Sequence, residues 1–491
     1  CGVLLMFKKD RKRRIIYNDD SDQQFARLNR PPYNFIDEQS FIDARTTPTF
    51  GTQVDTYVWN VGNGATPPWG PWAELNDYIV HPFLGTHQYA TDAIIKVCHS
   101  NNMEIWGSLR MNDSHDAHVK QLEHTNDSFK SKHPEYLLGT IADRDLGNEH
   151  IERYQWAALN FEHQAVRDHR LSYIKDNAET HDFDGYELDF TRFIWNFPQG
   201  KELELAPLMT EFIKDVRDVL DNIGKKRRRK YTFIVHVPDS IETSLMLGLD
   251  VEKWMSNQLV DIVVAGMGFN PYKMPIGNWK QLGLRYGIPI YTSLNTRPLF
   301  KLYRDTFRSS AAWIKYIRGV ADWWWYCDVD GIYLFNLFTH CEFNTKPLDK
   351  EIVYKPLSEI GEISTLKKEN KIYAIDSVVG MFTQASVASE LPTILDKNER
   401  RILLNVGFDA NDEDATFVLH VWLNQDGQDL RIWVRVNHVS VELMQDSNHW
   451  IATLPEGIFR TGENDFTMYC NIESVTNNPI IVTEVFVEAE F

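Results

Sequence analysis

Over the first 340 residues, short runs of β-branched and aromatic residues recur, each closing on polar side chains. Longer stretches with apolar positions three to four apart separate most of them. The runs are Arg14 to Asp20, Gln53 to Asn60, Met103 to Arg110, Phe183 to Phe190, Tyr231 to Asp239, Val260 to Gly268, Ile288 to Asn295 and Val329 to Asn336. The spacing between them predicts helices over Thr91 to Ser100, Glu162 to Asn177, Glu202 to Ile223 and Thr306 to Trp325. Eight strands alternating with helices fit an α/β fold, the (β/α)8 TIM barrel. The connections after the second and third strands are the longest. Both lie on the side where barrels place their active sites.

Past about residue 365 the helical period stops and strict alternation takes over. Strands are predicted at Thr416 to Leu423, Leu430 to Val436, His449 to Leu454, Asp465 to Cys470 and Ile480 to Glu490. Turn signals such as Gln425-Asp426-Gly427 and Thr461-Gly462-Glu463-Asn464 separate them. Short alternating strands of this kind predict an antiparallel β-sandwich. The division expected is a barrel over 1–345, a linker over 346–370 interrupted by Pro347 and Pro356, and a sandwich over 371–491. The sandwich, with its Val436-Asn437-His438 turn, is expected to stabilise the barrel as an accessory domain, with independent ligand binding as the alternative.

Composition narrows the partners. The formal charge of −18 argues against nucleic acid, which needs a basic footprint. Two basic runs, Lys225 to Lys230 and Lys8 to Arg14, read as solvated surface. No run of 18 apolar residues offers a membrane span. The five cysteines (Cys1, Cys98, Cys327, Cys341, Cys470) are too dispersed for a zinc motif and read as free thiols, mostly buried. A chain that starts at Cys1 admits a lipid anchor and a periplasmic or extracellular location, with the cytoplasm still open. No cofactor is expected, and no oligomeric state is indicated. Aromatic residues make up 13% of the chain, an excess that suits flat ligand platforms as well as core.

The fourth strand carries the chemistry. In Asp184-Gly185-Tyr186-Glu187-Leu188-Asp189, alternation puts Glu187 and Asp189 on one face and Tyr186 and Leu188 on the other. The apolar pair suits the helix side, so the acids point into the barrel near its mouth. Two buried carboxyls in one confined site are driven apart in pKa, which supplies the protonated and ionised partners that glycoside hydrolysis needs. An ion pair with Arg110 or Arg192 is the structural alternative.

The segment Phe183 to Phe193 resembles the fourth-strand motif of glycoside-hydrolase barrels. With Ser108 to Asp116 and Asp330 to Asn336, it is most similar to a poorly characterised bacterial group of glycosyl hydrolase-like barrels with a C-terminal β-sandwich. That resemblance implies a glycoside hydrolase acting on a poly- or oligosaccharide. Thr191 stands where chitinases carry their catalytic Glu, and strand seven carries no acid. The similarity that remains is to amylase-type and α-galactosidase-type barrels, which implies Asp189 as nucleophile.

Its partner acid is open among Asp113, Asp239 and the deeper Glu187, with Asp20 across the mouth. Candidates for substrate contact are Asp20, Arg110, Asn112, His115, His236, Asn295 and Arg297. Trp59 and Trp106 at strand ends join them, beside Trp195 and a loop wall at Pro67 to Trp72. Trp323, Trp324 and Trp325 read as core. Arg110 and Arg297 admit acidic or sulfated sugars, since guanidinium reads such groups bidentately. Two other classes stay open: a barrel that binds carbohydrate without cleaving it, and a metal-dependent hydrolase or lyase drawing on Asp19, Asp20, Asp113 and His115.

Overall fold

The computed structural model describes residues 12–24, 35–62, 87–125, 128–147, 150–266, 274–295, 310–342, 349–375, 390–408, 414–426, 429–472 and 478–491. Eight parallel strands form a closed barrel in sequence order. They are β1 (Ile15–Asp19), β2 (Val54–Gly62), β3 (Glu104–Arg110), β4 (Gly185–Asp189), β5 (Thr232–Val237), β6 (Ile262–Ala265), β7 (Ile290–Asn295) and β8 (Gly331–Phe335). Each lies within one of the eight segments that the sequence pattern predicts, apart from the last residues of β2. Every residue of β1, β3, β4, β5, β6 and β8 is buried, as befits strands covered on both faces.

The helices used below are α1 (Glu38–Arg45), α2 (His87–Ser100), α3 (Gln164–Thr180), α4 (Glu202–Arg227), α5 (Ile276–Tyr286) and α6 (Ser310–Tyr326). Helix α4 shows why they form. Leu205, Met209, Phe212, Ile213, Val216, Leu220 and Ile223 recur at three-to-four spacing and are buried. Glu202 and Glu204 open the helix, and Lys225, Lys226 and Arg227 close it, matching its dipole at both ends. The Lys225-to-Lys230 run is thus partly a helix terminus. Lys226 pairs with Glu179 at 2.9 Å, and Arg229 pairs with Asp182 at 2.6 Å and donates to the Phe183 carbonyl at 2.7 Å, which latches the entry to β4.

The inward positions are fixed by alternation and by one buried cluster: Ile16, Val58, Trp106, Ile234, Ile262, Val264, Tyr291, Tyr333 and Phe335. Reading up β3 from its N-terminal end, the inward residues are Glu104, Trp106, Ser108 and Arg110. Glycine at 185 is required by the packing. A Cβ there would lie 2.8 Å from the Trp106 ring and 2.9 Å from the Thr232 carbonyl.

The floor of the barrel corrects one expectation. Arg13, read from sequence as solvated, is largely buried and forms a two-pronged pair with Glu104 at 2.5 and 2.8 Å. Its guanidinium also lies 5.4 Å from the centroid of the Trp106 ring. Arg14 likewise pairs with Asp55 at 2.9 Å. Residues 8–11 of that run lie outside the described residues.

The C-terminal strands form two antiparallel sheets, as the alternation predicts. One has the order β10 (Thr393–Leu395), β18 (Ile480–Glu490), β12 (Thr416–Leu423), β16 (His449–Thr453) and β15 (Met444–Asp446), with β9 (Lys371–Ala374) also on β18. The other is β11 (Arg400–Val406), β17 (Gly462–Cys470), β13 (Ile432–Val436) and β14 (Val439–Val441). The sequence pattern misses β9, β10, β11, β14 and β15. The core between the sheets is apolar, with Leu419, Val421, Val434, Phe466, Met468, Val485 and Val487 among its members.

The chain divides into two compact units. One comprises Cys1–Gly268, Gly277–Ser293 and Tyr333–Leu337, and the other Phe269–Ile276, Leu294–Ile332 and Phe338–Phe491. Within the second, α6 lies against β9. A Cβ on Gly319 would sit 2.1 Å from the Ile372 carbonyl oxygen, so only glycine allows that approach. Trp324 is fully buried in α6, while Trp323 and Trp325 are half-buried. Among the described residues Cys98, Cys327, Cys341 and Cys470 are free thiols, of which Cys98 and Cys470 are buried. None of the described helices is long and apolar enough to cross a membrane.

Candidate active site

Alternation along β4 turns Glu187 and Asp189 inward, and both are buried. Their neighbours follow from register. Ser108 of β3 lies beside Glu187, Arg110 beside Asp189, and His236 of β5 on the other side of Asp189. Glu187 Oε1 accepts from the Ser108 hydroxyl at 2.6 Å and from the Tyr333 hydroxyl at 3.0 Å. Its Oε2 meets no donor among the described residues. Burial, then the nearby Asp189 charge, push the Glu187 carboxyl up to about 8, against the pull of the two hydroxyls. At neutral pH Glu187 therefore holds its proton.

Asp189 sits one inward position higher, at the C-terminal end of β4. Its Oδ1 accepts from the Thr191 backbone N–H and from the Thr191 hydroxyl, both at 2.7 Å. The strand ends beside it are zipped: Met111 N–H donates to the Asp189 carbonyl, and Phe190 N–H to the His236 carbonyl, each at 2.9 Å. These bonds fix the carboxylate on rigid backbone.

His236 is fully buried, and its Nε2 lies 2.9 Å from the Gly266 carbonyl oxygen. A carbonyl only accepts, so Nε2 carries the hydrogen and Nδ1 keeps its lone pair. Burial holds the imidazole below its ordinary value, against the Asp189 charge. Nδ1 lies 3.8 Å from Asp189 Oδ1, beyond direct hydrogen-bond range. A neutral base and a carboxylate thus face each other across a short gap.

Beyond β3 a second network forms. Asp113 is buried, and one carboxylate oxygen lies 2.6 Å from His115 Nδ1 and accepts the His115 backbone N–H at 2.9 Å. Arg192 donates to His115 Nε2 at 2.8 Å, so Nδ1 is the nitrogen that donates to Asp113. Arg110 pairs with Asp20 and lies 3.5 Å from the other Asp113 oxygen. Although burial works the other way, His115 and Arg110 hold Asp113 well below the carboxylate range. His115 itself is held below its ordinary value by burial, then by Arg192 and Arg110, despite Asp113. Lys130 pins the loop, donating to the Asp113 carbonyl at 3.0 Å and to Asp116 at 2.9 Å.

Three sequence expectations for substrate contact do not survive this placement. Trp59 is on the helix side of β2, fully buried, with its indole N–H donating to Thr91 of α2 at 3.2 Å. Val58 is the inward neighbour, so alternation sends Trp59 out. Trp106 is inward but fully buried in the layer below Glu187. Asn112 spends its amide on backbone: it donates to the Leu159 and Trp195 carbonyls at 2.8 and 2.5 Å and accepts the Leu159 N–H at 2.8 Å. It ties two loops together, and Trp195 is buried beside it.

Asp19 faces away from the barrel interior, where its carboxylate accepts from Arg45 of α1 at 2.8 Å and from the Tyr57 hydroxyl at 2.5 Å. It does not converge with Asp20, Asp113 and His115. Among the described residues no three His, Cys, Asp or Glu side chains come together as a metal site would require.

Asp239 is buried just past β5, where its backbone carbonyl accepts the Trp279 indole N–H of α5 at 2.8 Å. The backbone of Asn295 ends β7. Its side chain, Arg297, Pro67 to Trp72 and Cys1 lie outside the described residues.

Sequence reasoning missed Ser108 and Tyr333 as parts of the site, and it set Arg192 against the β4 acids where the structure sets it against His115. The first two carried a signal: Ser108 shares parity with Arg110 on β3, and Tyr333 shares parity with Phe335 on β8. For Arg192 the sequence lacked the partner, because His115 is 77 positions away.

No protein-family model matches the chain. No curated protein matches it either. Among solved structures it is similar to an Anoxybacillus α-amylase, with 14% identity over 93% of this chain and 98% of that one and a TM-score of 0.42. An α-amylase from Geobacillus thermoleovorans, complexed with acarbose, gives 12% identity over 92% and 97%, TM-score 0.42. A GH36 α-galactosidase from Geobacillus stearothermophilus gives 12% over 94% of this chain and 56% of that one, TM-score 0.37. These are faint likenesses of fold and do not bear on which bond this chain acts on.

Proposed function

We propose that this protein is a glycoside hydrolase that cleaves a poly- or oligosaccharide at the C-terminal mouth of its barrel. The observation that carries the reading is the pair of inward carboxyls on β4, with Glu187 neutral at about 8 and Asp189 held on rigid backbone above it. With Glu187 neutral, Asp189 is the inward acid placed to attack or stabilise a developing oxocarbenium centre.

We assign the proton donor by elimination. Asp113 is held ionised by His115 and Arg110, and Glu187 is sealed beneath Asp189. Asp239 is what remains of the three, and it would protonate the leaving oxygen as the bond to the anomeric carbon breaks. A sugar hydroxyl reaching Asp189 or His236 Nδ1 would donate its single hydrogen to one of them. Neutral glycans are the favoured class, because Arg110 is already matched by Asp20 and Asp113.

The test is release of reducing ends from a panel of plant and algal polysaccharides and oligosaccharides. Asp189→Asn should abolish it with the fold intact. Asp239→Asn should slow natural glycans far more than aryl glycosides, whose leaving groups need no proton. Full turnover in Asp189→Asn removes Asp189 from the chemistry.

A binding barrel without turnover is the second reading. It is favoured by one fact, that neither Asp113 nor Glu187 presents a protonated carboxyl at the mouth. Retained glycan binding with no cleavage across the panel would establish it.

A further inference from the structure

The outer face of the four-stranded sheet carries side chains that its core does not need. Along β13, Ile432, Val434 and Val436 turn into the core, and Trp433 and Arg435 turn outward. On β17 beside it, Thr467 and Tyr469 face the same way. Register sets Trp433 opposite Tyr469 and Arg435 opposite Thr467. The two rings are 5.1 Å apart and 13° from parallel, an offset cross-strand stack. Trp433 is 42% exposed, and among the described residues no other tryptophan is in the exposed class.

The polar border is charge-balanced. Arg435 pairs with Glu399 at 2.5 Å across the sheet. Arg401 of β11 pairs with Asp465, whose other oxygen accepts from the Thr467 hydroxyl at 3.0 Å. Two guanidiniums meet two carboxylates, and a ring face stays open among them.

We propose that this face binds a neutral glycan chain, with one sugar ring stacked on Trp433 and its hydroxyls bonded to the Arg435–Glu399 pair and Thr467. Chemistry selects that occupant. A pyranose has an apolar C–H face for the indole and hydroxyls that both donate and accept, matching a border of guanidinium donors and carboxylate acceptors. A charged polymer would meet repulsion from one member of each pair. A protein partner's apolar patch would leave the four charged groups desolvated at a cost. The Tyr469 stack holds the indole in place beforehand, which lowers the entropy lost on binding. The site lies in the second unit and does not depend on the barrel cleaving sugar.

The experiment is native electrophoresis of the full chain carrying Asp189→Asn, which spares the matrix, through gels containing soluble starch, xylan, laminarin or galactomannan. At least one polysaccharide should retard it. Trp433→Ala should raise the apparent Kd in that gel at least tenfold, Trp433→Phe less, and Tyr469→Ala should weaken retention by freeing the indole.

Turnover of short oligosaccharides by the otherwise wild-type chain should be unchanged by Trp433→Ala. A failure of the hydrolase reading would therefore appear separately, as absent turnover. If the alanine variant does not melt cooperatively, Arg435→Ala and Tyr469→Ala are read by the same criterion. The proposal is overturned if no gel retards the parent or if Trp433→Ala is retarded like it. It is equally overturned if the variant changes only the oligomeric state on size-exclusion chromatography.

Discussion

Two glutamates point into the same barrel and meet opposite fates. At the floor, Glu104 accepts two bonds from Arg13 and one from Thr56 at 2.7 Å. Burial alone would raise its pKa, yet Arg13 and Thr56 hold it below its ordinary value. Two inward layers higher, Glu187 has hydroxyl donors, an acid for a neighbour and no cation within the described contacts. It rises to about 8. The floor is a compensated charge and closes the barrel. Glu187, beneath Asp189, is an uncompensated carboxyl and keeps its proton at neutral pH. A buried carboxyl alone therefore says little; what stands beside it decides whether it is structure or function.

The largest expected effect lies at the mouth. Asp189→Asn should cut turnover on the order of 10³-fold or more while leaving the melting curve near wild type. A fall in stability instead of rate would make Asp189 a structural acid, like Glu104, and erase the contrast.

Next comes the floor. Arg13→Ala leaves a buried carboxylate without its cation and should cost about 3–5 kcal/mol in urea unfolding at pH 7. If it costs under about 1 kcal/mol, Glu104 is solvated in solution and the floor is open.

The pH dependences should run in opposite senses. Glu187 has its folded pKa above its ordinary value of 4.5, so its contribution is fully present below 4.5 and is lost as pH climbs through about 8. Glu187→Gln should thus gain on wild type across that window, by at most about 1.4 kcal/mol per pH unit. Glu104, with its folded value depressed, contributes above its ordinary value and loses that contribution as pH falls through the depressed one. Glu104→Gln should lose on wild type at neutral pH, and the loss should shrink in acid. Parallel stability profiles for both variants would contradict the comparison.

The smallest effect should be Ser108→Ala. It removes one hydroxyl donor to Glu187 and should cost about 1 kcal/mol, with a further rise in the Glu187 pKa. Carbon-detected NMR titration of the side-chain carboxyl would read that rise directly.

Much of this was legible in the chain. The short β-branched and aromatic runs located the eight barrel strands closely, and parity on β4 put Glu187 and Asp189 inward. The same parity, carried along β2, would have turned Trp59 outward, since Thr56, Val58 and Asn60 share the other face. Strand β11 was not legible. Its outward Leu403 is only partly buried, and the run opens on Arg400-Arg401, so apolar and polar positions do not separate. The site's charges were less legible still. His115 and Arg110, expected at the substrate, and Arg13, expected in solvent, each meet a partner far away along the chain: Arg192, Asp20 and Glu104.

The sequence by itself determined the number of barrel strands, the alternation that aims the β4 acids inward, and the change to alternating strands past about residue 365. These follow from local periods, which each segment carries alone. Only the tertiary structure decided which acid is paired. Arg13 reaches Glu104 across 91 positions, and Tyr333 reaches Glu187 across 146. Protonation is set by desolvation and by neighbours within a few ångströms, and closing the barrel creates both at once.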